Sequence, residues 1–428
     1  MKEIKLNGFD ETIYYDVCDN GLPVYMHVNE RVNNFYITFS VRYGSIHNEF
    51  KVKGEKKFSK VPDGVAHFLE HVKFNEGENK TAHDYFNKLG SSINAFTTFD
   101  YTCYEVFAST EFEKNLIHLL DYVQTPYFTD KTISKEKGII CEEVKMGKNN
   151  PGHELYYKGN EALYKNDRRK YLVTGDIKDV KSITTKDIEN VYNHFYCPNN
   201  MVLVITGNFK PEQAIAIIKE NQANKSIKNY EMDVKLQKEP LSVVNDYVEI
   251  KSNVEIPKLR ISYKLSRKDF PKMDFRILMI YLNIIMRNNF GSTSLLREEL
   301  LEQELVTSLG AGCDYFNDLI TIKISAETKY PKEVVKIIKD KMNNLSLNED
   351  DIRRRRRANI AGTIDEYDDI ESVNMLIQEQ IIKDKEIYTD LFKTYNDINL
   401  KQAMKIMKAM DLSHNSTAVL IPRDKKTE

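Results

Sequence analysis

Two histidines four residues apart with a glutamate beside the second, His67-Phe68-Leu69-Glu70-His71, are the residues of this chain best suited to chemistry. On a helix advancing about 100° per residue, His71 lies about 40° from His67, and Glu70 about 60° to the other side. All three share one narrow arc. Two neutral imidazoles at that spacing suit zinc, and a catalytic zinc takes a third protein ligand while keeping one position for water. A glutamate in the same arc is placed to take a proton from that water.

A third ligand must come from another element. Residues 131–148 read as a helix in which Ile133, Ile139, Ile140, Val144 and Met146 form an apolar stripe, while Lys135, Lys137, Lys145 and Lys148 fall outside it. Glu136 and Glu143 lie near the centre of that stripe, about 20° apart, and Glu142 points elsewhere. Two carboxylates on a buried face are costly unless they are neutralised, paired or bound to a metal. Glu143 is the better ligand candidate, and Glu136 suits a carboxylate that orients a histidine. Salt bridges from both glutamates to lysines are the competing arrangement.

With these residues in view, the chain resembles the pitrilysin/insulinase family of zinc metallopeptidases, the inverzincins. His67-x-x-Glu70-His71, followed about seventy residues later by Glu136 and Glu143, is similar to the family's inverted zinc motif. Gly64-Val65-Ala66 leads into the motif, and Leu89-Gly90-Ser91-Ser92-Ile93-Asn94-Ala95-Phe96-Thr97-Thr98 resembles the family's substrate strand. Asn20-Gly21-Leu22-Pro23-Val24 is similar to its N-terminal hairpin, and Tyr196-Cys197-Pro198-Asn199-Asn200-Met201 to the segment before the last strand of its first domain. The likeness is strong over residues 15–210 and weaker beyond. It is nearest to the short bacterial branch that also contains mitochondrial processing peptidase, and within that branch to the YmfH-like proteins.

The resemblance implies a half-clamshell of two related α+β domains and one zinc per chain, held by His67, His71 and Glu143. It implies Glu70 as general base with Glu136 in support, and a peptide substrate that joins a sheet edge near Asn94, Ala95 and Phe96 through main-chain hydrogen bonds, with Asn94 holding the peptide group near the metal; an asparagine that bonds only local backbone is the alternative. One departure stands out. Active members present an arginine and a tyrosine from the second domain in a motif similar to L-R-E-x-x-G-L-x-Y, whereas the matching stretch here has Leu300 and Thr307 at those places. Arg297 is one helical turn from the arginine's place, and Tyr315 is too distant in sequence to restore the spacing. A sister subunit that supplies the arginine and tyrosine in a heterodimer is therefore expected. The rival readings are a non-proteolytic assembly subunit, which the intact motif opposes, and a maturation factor dedicated to one peptide or protein.

The elements that must position these residues alternate in type. Strands at 36–43, 102–109 and 201–207 are interspersed with helices at 65–74, 83–88, 111–124 and 131–148, an α+β pattern. A polar stretch ending in Glu239-Pro240 reads as a linker. It divides the chain into a zinc-bearing domain at 1–224, a linker at 225–242 and a second domain without the motif at 243–428. The second half repeats the style, with strands near 259–265 and 320–326 and helices near 275–287 and 332–344. A chain of 428 residues exceeds one ordinary core, which also favours two domains.

Composition excludes other classes. With 41% hydrophobic and 29% charged residues and a net charge of −2, the chain reads as globular, with no call for nucleic-acid or membrane partners. The opening Met1-Lys2-Glu3-Ile4-Lys5 has no apolar signal core, and the apolar run 277–286 is about half a membrane span. The five cysteines are scattered, odd in number and free of any C-x-x-C pair, which suits a reducing cytoplasm. Cys141 reads as a packing residue. Arg353 to Arg357 on one helix point in all directions, and they read as a solvated girdle paired with Glu349, Asp350 and Asp351, with a contact to an acidic partner subunit or a peptide carboxylate as the alternative.

Overall fold

The computed structural model, which describes residues 1–423, builds one α+β unit around a seven-stranded sheet and a second around a five-stranded one. The strands of the first sheet are Lys2–Lys5 (β1), Thr12–Val17 (β2), Pro23–Val28 (β3), Phe35–Val41 (β4), Ser92–Thr97 (β5), Thr102–Ala108 (β6) and Met201–Gly207 (β7). They lie in the order β1-β2-β3-β7-β4-β6-β5, with β7 parallel to β3 and every other pair antiparallel. The second sheet comprises Tyr247–Ser252 (β8), Lys258–Ser266 (β9), Ser308–Phe316 (β10), Leu319–Glu327 (β11) and Asn415–Pro422 (β12). Its order is β8-β12-β9-β11-β10, again with one parallel pair, β8 with β12. The strands β5 and β10 each form one edge of their sheet.

The helices that matter are Val65–Lys73 (α1), Phe112–Gln124 (α2), Asp130–Lys148 (α3), Pro151–Leu163 (α4), Phe275–Phe290 (α5), Leu295–Glu302 (α6), Pro331–Asn343 (α7), Glu349–Asp368 (α8) and Ile370–Lys383 (α9). The two units interleave along the chain. The first comprises residues 1–144, 172–236 and 362–393, the second residues 145–171, 237–361 and 394–428, so α4 belongs to the second unit and α9 to the first. Residues 232–234, inside the stretch read as a linker, pair with residues 50–52 of the first unit.

This exchange explains the composition of the strands. All seven residues of β4 and of β7 are buried, because α1 and α2 cover one face of the sheet and α9 the other. A strand covered on both faces reads as a near-continuous apolar run, as β7 does from Met201 to Ile205. Residues 35, 37, 39 and 41 enter the main core, while Thr38 and Ser40 on the α9 face donate hydrogen bonds to Asn374 Oδ1 and Gln378 Oε1, both at 2.6 Å. These polar pairs are fully buried, so each depends on the other to avoid an unmet desolvation penalty.

In the second unit the inner face of the sheet packs Leu259, Ile261, Ile322 and Ile324 against α5 and α7. The apolar run 277–286 is part of α5 and is buried there, and no helix among the described residues is long and apolar enough to cross a membrane. Arg353 to Arg357 lie on α8. Arg353 and Arg354 pair with Asp350 and Asp351 one turn earlier at 2.7 and 3.0 Å, and Arg355 donates to the Arg287 carbonyl.

Candidate metal centre

The motif helix is buried on nearly every side. Eight of its nine residues are buried, among them Phe68, Leu69 and Val72 at full burial, each contributing about 1.5–3 kcal/mol relative to exposure. That burial fixes the helix against β5 and β6 and sets the roll of its histidines. Gly64 caps its start with φ +86°, and a Cβ there would sit 2.2 Å from the Thr174 carbonyl oxygen. Only glycine meets both conditions.

His67, Glu70 and His71 present ligand atoms within 4.8 Å of one another, and α3 brings Glu143 and Glu136 to the same place. The Glu143 carboxylate spans both imidazoles, with Oε1 3.4 Å from His67 Nε2 and Oε2 3.5 Å from His71 Nε2. Behind His71, its Nδ1 lies 3.6 Å from Glu136 Oε2, so the two nitrogens of that ring face two different carboxylates. Tetrahedral zinc with bonds of about 2.0–2.1 Å requires neighbouring donors about 3.3–3.4 Å apart. The His67–Glu143 and His71–Glu143 separations lie close to that figure, each through a different oxygen of the one carboxylate.

The helix α3 departs from its expected stripe in one respect. Ile133, Glu136, Ile140, Cys141 and Val144 are buried, but Ile139 and Met146 are 46% and 67% exposed. The buried arc lies to one side of Glu136 and Glu143, and the two exposed apolar residues about 60–80° to the other. The glutamates therefore stand at the rim of the buried face, which leaves Glu143 open on one side. Cys141 is a packing residue, as expected.

Glu70 is 6% exposed, and its Oε2 accepts a 2.5 Å hydrogen bond from Thr97 Oγ1 on β5. Burial raises its carboxyl above the ordinary range, with the His67 charge and the Thr97 hydroxyl opposing. The hydrogen bond from His67 holds Glu143 below that range, against its partial burial. For His71, burial works against the charged ring, yet Glu136 and the charges of Glu70 and Glu143 leave its pKa raised. One pocket thus separates its carboxylates into one that favours a proton and one that resists it, a division expected of a general base beside a ligand.

The structure brings His67, Glu70, His71, Glu136 and Glu143 together, but it turns Asn94 away. Successive strand residues face opposite sides, so Ile93, Ala95 and Thr97 share the α1 face while Asn94 and Phe96 lie on the other. There Asn94 Nδ2 donates to Glu105 Oε1 at 3.0 Å, and Tyr36 OH to Glu105 Oε2 at 2.6 Å. Thr97 escaped the sequence reading, although its position two residues beyond Ala95 in an alternating strand was the available signal. In the second unit Leu300 is 3% exposed in the core, Thr307 is exposed just before β10, and Arg297 donates to the Ser292 carbonyl.

Two family models match the chain. One, described as insulinase (peptidase family M16), covers residues 57–175, and the other, described as the peptidase M16 inactive domain, covers residues 182–359. The chain is 37% identical over 307 residues to the zinc protease YmfH of Bacillus subtilis, across 71% of each protein. It is 22% identical over 384 residues to the mitochondrial-processing peptidase subunit beta of Dictyostelium discoideum, across 83% of this chain and 80% of that one. In fold it superposes on an M16-like peptidase from Alicyclobacillus acidocaldarius with a TM-score of 0.90 at 24% identity, over 98% of this chain and all of that one.

Proposed function

The chain belongs to the insulinase family of peptidases, family M16, and from that premise we propose that it is the zinc-bearing subunit of an endopeptidase acting on extended peptides. The observation that carries this reading is the Glu143 carboxylate at tetrahedral-edge distance from both Nε2 atoms. In it, His67, His71 and Glu143 hold one zinc, which when bound polarises the scissile carbonyl and acidifies water. Glu70 takes the proton from that water and returns it to the leaving amine. Burial raises the affinity of Glu70 for that proton, and the Thr97 hydroxyl steadies its carboxylate between the two events. Glu136, 3.6 Å from His71 Nδ1, favours a proton on that nitrogen, the tautomer that leaves Nε2 free.

An extended peptide adds to the open edge of β5 by main-chain hydrogen bonds. In this arrangement Ala95 faces the metal helix, and Asn94 and Phe96 act through their backbone. The Glu105 clamp on the Asn94 side chain stiffens the strand from behind. Five free thiols, four of them buried, suit a reducing cytoplasm.

A sister subunit supplies the cationic donor and the phenol that Leu300 and Thr307 cannot. Each missing transition-state donor costs about a hundred- to a thousandfold, so the chain alone binds one zinc and cleaves peptides poorly. Metal analysis and a peptide-library digest of the purified chain, with and without a co-purified partner, test this. Full activity of the chain by itself removes the heterodimer, and an absence of zinc at the three ligands removes the metal assignment.

A further inference from the structure

The outer face of the second sheet carries a charge cluster that the hydrolytic reading does not use. Arg260 on β9 is 4% exposed, yet among the described residues the only hydrogen bond of its side chain is from Nη2 to Asn160 Oδ1 of α4, at 2.7 Å. Its Nε and Nη1 are buried without a partner. The close approach is built in, since a Cβ on Gly159 would come within 2.4 Å of Nη2. Lys323 on β11 shares the Tyr156 ring with it, the two cations lying 5.3 and 5.1 Å from the same centroid. The carboxylates of the cluster, Asp167 and Asp314, are both engaged by Arg169, and Lys323 reaches Asp314 only at 3.6 Å. Three cations thus face two carboxylates. Burying a guanidinium without a counter-ion is costly, and a second cation on the same ring adds repulsion.

The space beside these cations is open. Paired residues in adjacent strands direct their side chains to the same face. The register sets Arg260, Ser325 and Gly310 in one row and Ser262, Lys323 and Gly312 in the next. Ser325 and Gly312 are exposed, and a Cβ on either glycine would meet nothing within 4 Å. The result is a bay on the edge strand, floored by glycines and backed by a buried positive charge. We propose that this bay binds a small oxyanion, a carboxylate or phosphate group, that accepts hydrogen bonds from Lys323 Nζ and Ser325 Oγ in the field of Arg260.

The test is binding, independent of metal and hydrolysis. Thermal unfolding of the full chain is followed against inorganic phosphate, with chloride at matched ionic strength as control. The midpoint rises saturably with phosphate in the wild type, as it must for a ligand that binds only the folded state. Lys323→Met, at a partly exposed position, weakens the apparent affinity about tenfold or more, as loss of one charge-assisted hydrogen bond implies. Ser325→Glu places a carboxylate in the bay and abolishes the phosphate response while preserving or raising the basal midpoint. No saturable response in the wild type, or an unchanged one in Lys323→Met, overturns the proposal. A peptide with a free C-terminal carboxylate that competes with phosphate, when its amide does not, identifies a peptide end as the source, and competition by neither peptide identifies a free oxyanion.

Discussion

Replacing Thr97 by valine keeps the shape of β5 and deletes the hydroxyl that donates to Glu70 at 2.5 Å. A hydrogen bond to a charged, buried group contributes about 1.5–3 kcal/mol, and each 1.36 kcal/mol is tenfold in rate. Hydrolysis on the acid limb of the profile should therefore fall about ten- to a hundredfold. The sign of the pH effect follows from which form the hydroxyl favours. It stabilises the ionised carboxylate, so its loss raises a pKa that burial has already raised. Only the ionised form accepts the proton from water, so the acid limb of kcat/KM moves to higher pH and activity recovers on the alkaline side. Zinc content should not change, because the other hydrogen-bond partner of the Thr97 hydroxyl is Thr102 and none of the three ligands. Thr97→Ser, which retains the donor, should restore the wild-type limb. The assay is turnover of a quenched fluorescent peptide across pH, with metal analysis of each protein. An equal loss at every pH, or a serine variant as impaired as the valine one, would refute the role of Thr97.

Three further outcomes follow from the same geometry. Glu70→Gln should retain one zinc while hydrolysis falls about a hundred- to ten-thousandfold, and near wild-type turnover with bound metal would take Glu70 out of the mechanism. Glu143→Gln should release most of the zinc, Glu136→Gln should weaken zinc or activity about ten- to a hundredfold, and Glu142→Gln should do little; a site emptied by the Glu142 change would break the helix-face assignment. Gly64→Ala forces a side chain to within 2.2 Å of a carbonyl oxygen at a left-handed φ. It should cost about 1–3 kcal/mol in denaturant unfolding and lower zinc affinity by shifting the motif helix, whereas an unchanged midpoint would show that the loop yields freely.

Much of the metal site was legible in the sequence because helical geometry is local. Four residues of spacing bring His67 and His71 onto one face, and seven do the same for Glu136 and Glu143, whatever surrounds them. Local patterning also gave the α+β elements of both halves, since an inner strand such as Met201–Gly207 opens with an uninterrupted apolar run through Ile205. What the sequence could not supply was the surroundings. That Ile139 and Met146 are exposed while Ile140 and Val144 are buried depends on which side of α3 meets the core, a matter of a few tens of degrees that a shared apolar stripe does not resolve. The pairing of Glu70 with Thr97, and the turning of Asn94 toward Glu105, depend on strand β5 meeting helix α1 along one face, and strand alternation alone cannot say which face that is. The exchange of α4 and α9 between the units is likewise a tertiary decision. Thr38, Ser40, Asn374 and Gln378 are ordinary polar residues in sequence, and only their burial against one another, more than 330 residues apart, makes them the layer that seats a helix on a sheet.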